Sequence, residues 1–133
     1  MPIATAALTA AVALTIGTAG PAQADGTSGY HGCSTTGASG GYDFSNYYGP
    51  DARVKLSFRL YDTQADGHHV RIRLISKNVH GTIKRWGWRS HTGGSGTSQT
   101  WETYAEDSSG LFDIGVEVAR FEGNTMLNQC FDW

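Results

Sequence analysis

The sequence predicts an all-β protein, an antiparallel β-sandwich of about six to seven short strands with one disulfide. Three observations carry this. Apolar and polar residues alternate with a period of two in several separate stretches, which marks strands with one buried face. Eighteen glycines in 133 residues punctuate the chain, as short strands joined by turns require. No window holds the 3.6-residue period of an amphipathic helix. A small β-barrel is the alternative, because closure is not written in strand patterns.

The alternation is clearest where Val54, Leu56, Phe58 and Leu60 are separated by Lys55, Ser57 and Arg59. The four apolar residues face inward on one strand. After the polar loop Asp62–Gly67, Val70, Ile72 and Leu74 alternate with Arg71 and Arg73, completing a hairpin. His80-Gly81 suits a tight turn, and a third strand is expected from about Ile83 to Ser90. Gly93–Ser98 reads as a loop and Thr100–Ala105 as a further strand. Phe112, Ile114, Val116 and Val118 alternate with Asp113, Gly115 and Glu117 on the next. Glu122–Thr125 turns the chain into a last segment, Met126–Trp133. Upstream, Tyr42–Asn46 is a short first strand before the turn Tyr47–Asp51. The single β domain is therefore expected over 42–133, preceded by a Gly/Ser/Thr-rich segment, 25–41, that begins as a flexible leader.

Residues 1–24 read as a signal peptide. They hold no Asp, Glu, Lys, Arg or His, and the apolar stretch Ala4–Ile16 is too short to span a bilayer. Gly17, Gly20 and Pro21 break it, and Ala22-Gln23-Ala24 supplies the small residues a signal peptidase accepts, placing cleavage before Asp25. The basic residue expected near the start is missing, which points to a start codon upstream of Met1. No second apolar run follows, so the expected product is secreted, with no membrane span after cleavage.

Cleavage leaves 109 residues, enough for one modest core, and they contain all four Trp, six Tyr and five Phe. Such aromatic content opposes disorder. Cys33 and Cys130 both remain, and an even pair in an oxidising compartment reads as a disulfide joining the two ends of the domain.

Charge is unevenly spread. Nine of the ten basic residues lie between Arg53 and Arg89, whereas seven acids follow Trp101 against Arg120 alone. On neighbouring strands these charges would pair across the sheet and cancel. With a net charge of −2, that reading is preferred over a nucleic-acid or other polyanion surface.

Trp86 and Trp88 stand two apart on an expected strand, hence on one face, with Trp101 on the next strand. Alternation favours their burial in the core; exposed, they would form a ligand-binding row able to stack on an extracellular glycan. His68 and His69 face opposite sides of a strand, so they are poorly placed to share a metal. Asp62–Gly67 is similar to the start of a calcium loop, but Arg73 occupies the position of the bidentate carboxylate. No metal or cofactor is implied. For catalysis, Asp66 with His68 or His69 is the one acid–base pairing the spacing suggests, and no Gly-x-Ser-x-Gly elbow accompanies it.

The segments Asp66-Gly67-His68-His69-Val70-Arg71, Val116-Glu117-Val118-Ala119-Arg120-Phe121 and Cys130-Phe131-Asp132-Trp133 make the chain look like a group of small exported actinomycete proteins. The resemblance implies bacterial export and a two-cysteine architecture, and it carries no activity or site residues. The functional expectation is a non-enzymatic extracellular domain that acts by binding, with an extracellular glycan or protein as the candidate partner, or by contributing to the cell surface. A carbohydrate-binding module and a small secreted hydrolase or toxin are the alternatives.

Overall fold

A computed structural model describes residues 26–133; the predicted signal peptide, 1–24, lies outside them. Among the described residues the chain forms nine strands and no helix. They are β1 (Thr27–Thr35), β2 (Ala38–Tyr47), β3 (Val54–Asp62), β4 (His69–Lys77), β5 (Ile83–Arg85), β6 (Arg89–His91), β7 (Ser98–Ala105), β8 (Asp113–Glu122) and β9 (Thr125–Asp132). One sheet has the order β1-β2-β3-β7. In the other, the order is β5-β4-β8-β9, with β6 also pairing β4. Every pairing is antiparallel. The sheets face each other without closing into a barrel: β1 lies against β8 and β9, β2 against β8, and β3 against β4.

The period-two pattern builds the core. Val54, Leu56, Phe58 and Leu60 of β3 meet Val70, Ile72 and Leu74 of β4 and Ile114, Val116 and Val118 of β8, all buried. Phe112, expected inward on that last strand, instead lies just before β8 and is exposed. At the centre Tyr42 is fully buried, and its hydroxyl donates to the Gly115 carbonyl at 3.0 Å. Burial, and then the charges of Asp113 and Asp132, push its phenol pKa far up, so it remains a neutral donor. Tyr42→Phe is expected to cost about 1 kcal/mol, the net worth of one such bond. Urea unfolding with an unchanged m-value checks this, and a neutral variant would show the bond to be dispensable.

Two elements differ from expectation. The Gly/Ser/Thr-rich segment is not a leader: it forms β1 and the start of β2, paired from Thr27↔Tyr47 to Thr35↔Ala38. Low side-chain propensity is overridden by a backbone ladder that runs unbroken from Gly29 to Thr35 and by ties to β9. The Asp132 carboxylate accepts the Gly32 N–H at 3.0 Å, and Asn128 donates to Thr35 Oγ1 at 2.9 Å.

The expected third strand is split. Ile75 pairs with Arg85 and Ile72 with Arg89, so three residues, Trp86 to Trp88, oppose two, Arg73 and Leu74. One extra residue makes a β-bulge, with Gly87 at its middle. The expected count of about six to seven strands falls short of the observed nine for these two reasons: the N-terminal hairpin and the break at the bulge.

Charges pair across β4 and β8 as the sequence suggests. Arg73 Nε donates to Glu117 Oε1 at 2.7 Å, and Lys77 lies 3.8 Å from Asp113.

Candidate functional site

The two lateral edges of the sandwich are finished differently. At one, Cys33 of β1 and Cys130 of β9 are joined by a disulfide with a Cα–Cα distance of 6.1 Å. At the other, among the described residues, β6 reaches β7 through His91 and Gln99, and β5 and β6 are parted by the bulge. His91 closes one end of this second edge. Its buried ring reaches Thr97 Oγ1 through Nε2 at 2.6 Å and Gln99 Oε1 through Nδ1 at 3.3 Å. Beyond His91 the sheets separate and leave a cleft of about 390 Å³.

Leu56 and Phe58 of β3 and Leu74 of β4 form the cleft's apolar floor, while Trp86 and Thr103 line its sides. The bulge carries Arg89 to this cleft, half-buried, with its guanidinium carbon 5.7 Å from the Phe58 ring centroid. Among the described residues Arg89 has no carboxylate partner. A half-buried guanidinium held near an aromatic ring, with no carboxylate using its donors among the described residues, can give them to an anionic group. The cavity lies within the size range of small-molecule sites.

The bulge also separates the tryptophans expected to share a face. Trp86 turns inward: its indole N–H donates to the buried Ser76 hydroxyl at 2.9 Å, and its ring packs against the core. Lys84 Nζ lies 4.1 Å from that ring's centroid. Trp88 turns to the outer face, where the Arg73 guanidinium stacks on it at 3.9 Å and its edge meets Phe121 at a centroid distance of 5.3 Å. Trp101 pairs with Phe58 from β7 and packs on the core. Trp86 and Trp88 both contribute to the cleft wall, from opposite sides of the bulge, whereas Trp101 does not line it. The three therefore form no common stacking row. Arg89 and Thr103 escaped sequence reasoning; the isolated Gly87 was the one signal that strand pairing breaks there.

The acid–base pairing does not form. Asp66 accepts the His68 backbone N–H at 3.0 Å and binds Arg120 at 2.8 Å. The backbone bond, followed by Arg120, holds its carboxyl below the usual range. His69 accepts from Arg71 Nε at 3.0 Å and stacks on Phe121; burial, then the charges of Arg71 and His68, lower its pKa. Both side chains are committed to arginines. Among the described residues no cluster of His, Cys, Asp and Glu is arranged to hold a metal, and no helix is long and apolar enough to cross a membrane.

Compared with protein-family models, with curated proteins and with solved structures, the chain has no match in any of the three.

Proposed function

We propose that this chain is a secreted, non-enzymatic binding domain whose cleft takes a small amphipathic anion: an apolar body carrying a carboxylate or a similar group. The observation that carries this reading is Arg89, half-buried and, among the described residues, without a carboxylate partner at a cleft floored by Leu56, Phe58 and Leu74. The apolar floor supplies binding energy in proportion to the area removed from water, and the guanidinium fixes the orientation of the charged end. Among the described residues the cleft lining carries the hydroxyls of Thr103 and Tyr104 and no carboxylate, imidazole or thiol to activate them. Secretion is supported by the disulfide, which belongs to oxidising compartments, and by the character of residues 1–24.

Titration with octanoate and with uncharged 1-octanol, read by tryptophan fluorescence, tests the proposal. Octanoate is expected to give a saturable change, because Trp86 and Trp88 stand in the cleft wall. Arg89→Ala should weaken octanoate binding by about 10- to 100-fold, as loss of a charge-assisted hydrogen bond predicts, and leave octanol unaffected. No saturable response to octanoate, or equal binding by the Arg89→Ala variant, would overturn it.

A further inference from the structure

The outer face of the four-stranded sheet carries a second arrangement, on the other side of β3 from the cleft and independent of the reading given to it. Antiparallel register places three short rows of side chains there. Tyr30, Asp43 and Ser57 stand abreast on β1, β2 and β3; Gly32, Gly41 and Arg59 form the next row; Ser34, Ser39 and Tyr61 form the third. Residues two apart on a strand share a face, so the three rows make one surface.

The middle row is where the glycines matter. The Tyr30 ring leans along β1 and lies over both Gly32 and Gly41. A Cβ added at Gly32 would stand 2.6 Å from ring carbon Cε1, and one added at Gly41 would stand 2.6 Å from Cζ. Any side chain at either position would lift the ring off the sheet. Two adjacent glycines on paired strands thus make a shelf on which an aromatic ring rests. Tyr30 is nevertheless 61% exposed, so the ring face turned from the sheet is open to solvent.

Around this platform Ser39 is bonded to Ser34 at 2.7 Å, while the two charged groups are uncommitted. Asp43 and Arg59 are both exposed and neither forms an ion pair among the described residues. Together with Tyr30, Tyr61, Ser39 and Ser57 they border a shallow recess of about 150 Å³. Partial burial, then Asp43 and Tyr61, raise the Tyr30 phenol pKa, which keeps its hydroxyl neutral and able to donate.

We propose that this trough binds a neutral polysaccharide, stacking one pyranose ring on Tyr30 and bonding its hydroxyls to Asp43 and Arg59. An aromatic face attracts the C–H groups of a sugar ring, because the ring's quadrupole places negative charge above its plane. Sugar hydroxyls both donate and accept, and the trough offers one strong acceptor in Asp43 and one strong donor in Arg59. One acid and one base leave no net charge at the recess, which suits a neutral chain and gives a polyanion no advantage. The shallow recess lies on an open sheet face, so it can take a sugar from within a longer chain. The tryptophans singled out in the sequence take no part in it.

The test is an NMR titration of the oxidised protein with cellohexaose, xylohexaose, mannohexaose and chitohexaose. At least one is expected to give saturable shifts centred on the amides of Gly32, Gly41 and Asp43 and on the Tyr30 ring. Tyr30→Ala should weaken that binding by about tenfold, the worth of one aromatic contact, while Tyr30→Phe retains most of it. Tyr30 is exposed, so neither variant endangers the fold, and unchanged melting curves confirm that. Arg89→Ala should leave sugar binding unchanged, which separates this proposal from that for the cleft. Shifts with none of the four sugars would overturn it. So would salt-sensitive shifts at these residues with polygalacturonate alone, which would mark a polyanion surface instead.

Discussion

Removing the Cys33–Cys130 disulfide is expected to lower the melting temperature by on the order of 20 °C or more. The bridge spans 97 residues of sequence and so closes a loop of nearly the whole domain. Chain-entropy arguments place such a loop at about 4.7 kcal/mol, and each kcal/mol moves a domain of this size by roughly 4–8 °C. The local structure gives the effect its site. β1 is built of Thr, Ser, Gly, Tyr, His and Cys, so it contributes little apolar area of its own to the core. Beyond its ladder with β2 it is held to β9 by the bridge and by the bonds of Asp132 and Asn128. Calorimetry of the Cys33→Ala/Cys130→Ala double variant at fixed pH measures the loss. Amide exchange should show β1 opening first. A fall of only a few degrees would mean that the β1–β2 ladder suffices without the clasp.

Arg73→Ala is expected to destabilise the domain by about 3–5 kcal/mol, the range seen when one member of a buried ion pair is removed. Glu117 is 1% exposed, and Arg73 both bonds its carboxylate at 2.7 Å and stacks under Trp88 at 3.9 Å. Deleting the guanidinium strands a carboxylate away from water and takes the support from the Trp88 ring. Arg73→Met with Glu117→Leu removes both charges and keeps the volume, so it should recover most of the loss. Urea midpoints of the single and double variants decide the matter. A double variant as unstable as Arg73→Ala would show that lost packing, rather than the stranded charge, is the cause.

Much of the framework could be read from side-chain type alone. Val54 to Leu60 and Val70 to Leu74 each announce a strand and its buried face, because strand geometry sends successive side chains to opposite sides whatever their partner. The Arg73–Glu117 pairing was likewise foreshadowed by complementary outward charges. Gly/Ser/Thr-rich β1 was not readable as a strand, since its pairing with β2 and its ties to β9 come from other parts of the chain. Phe112 matched the local alternation and still fell outside β8, where a turn intervenes.

An all-β sandwich clasped by one disulfide is thus what the sequence by itself determined, through a period-two pattern that needs no knowledge of neighbours and a single cysteine pair. The tertiary structure decided where ligands can be met. The extra residue between Arg85 and Arg89 sends Trp86 to the core and Trp88 to the opposite face, and it brings Arg89 to the open edge. The pairing of Gly32 with Gly41 makes the shelf beneath Tyr30. Bulges and shelves depend on register between strands, and register is set by contacts between residues far apart in the chain, which local alternation does not encode.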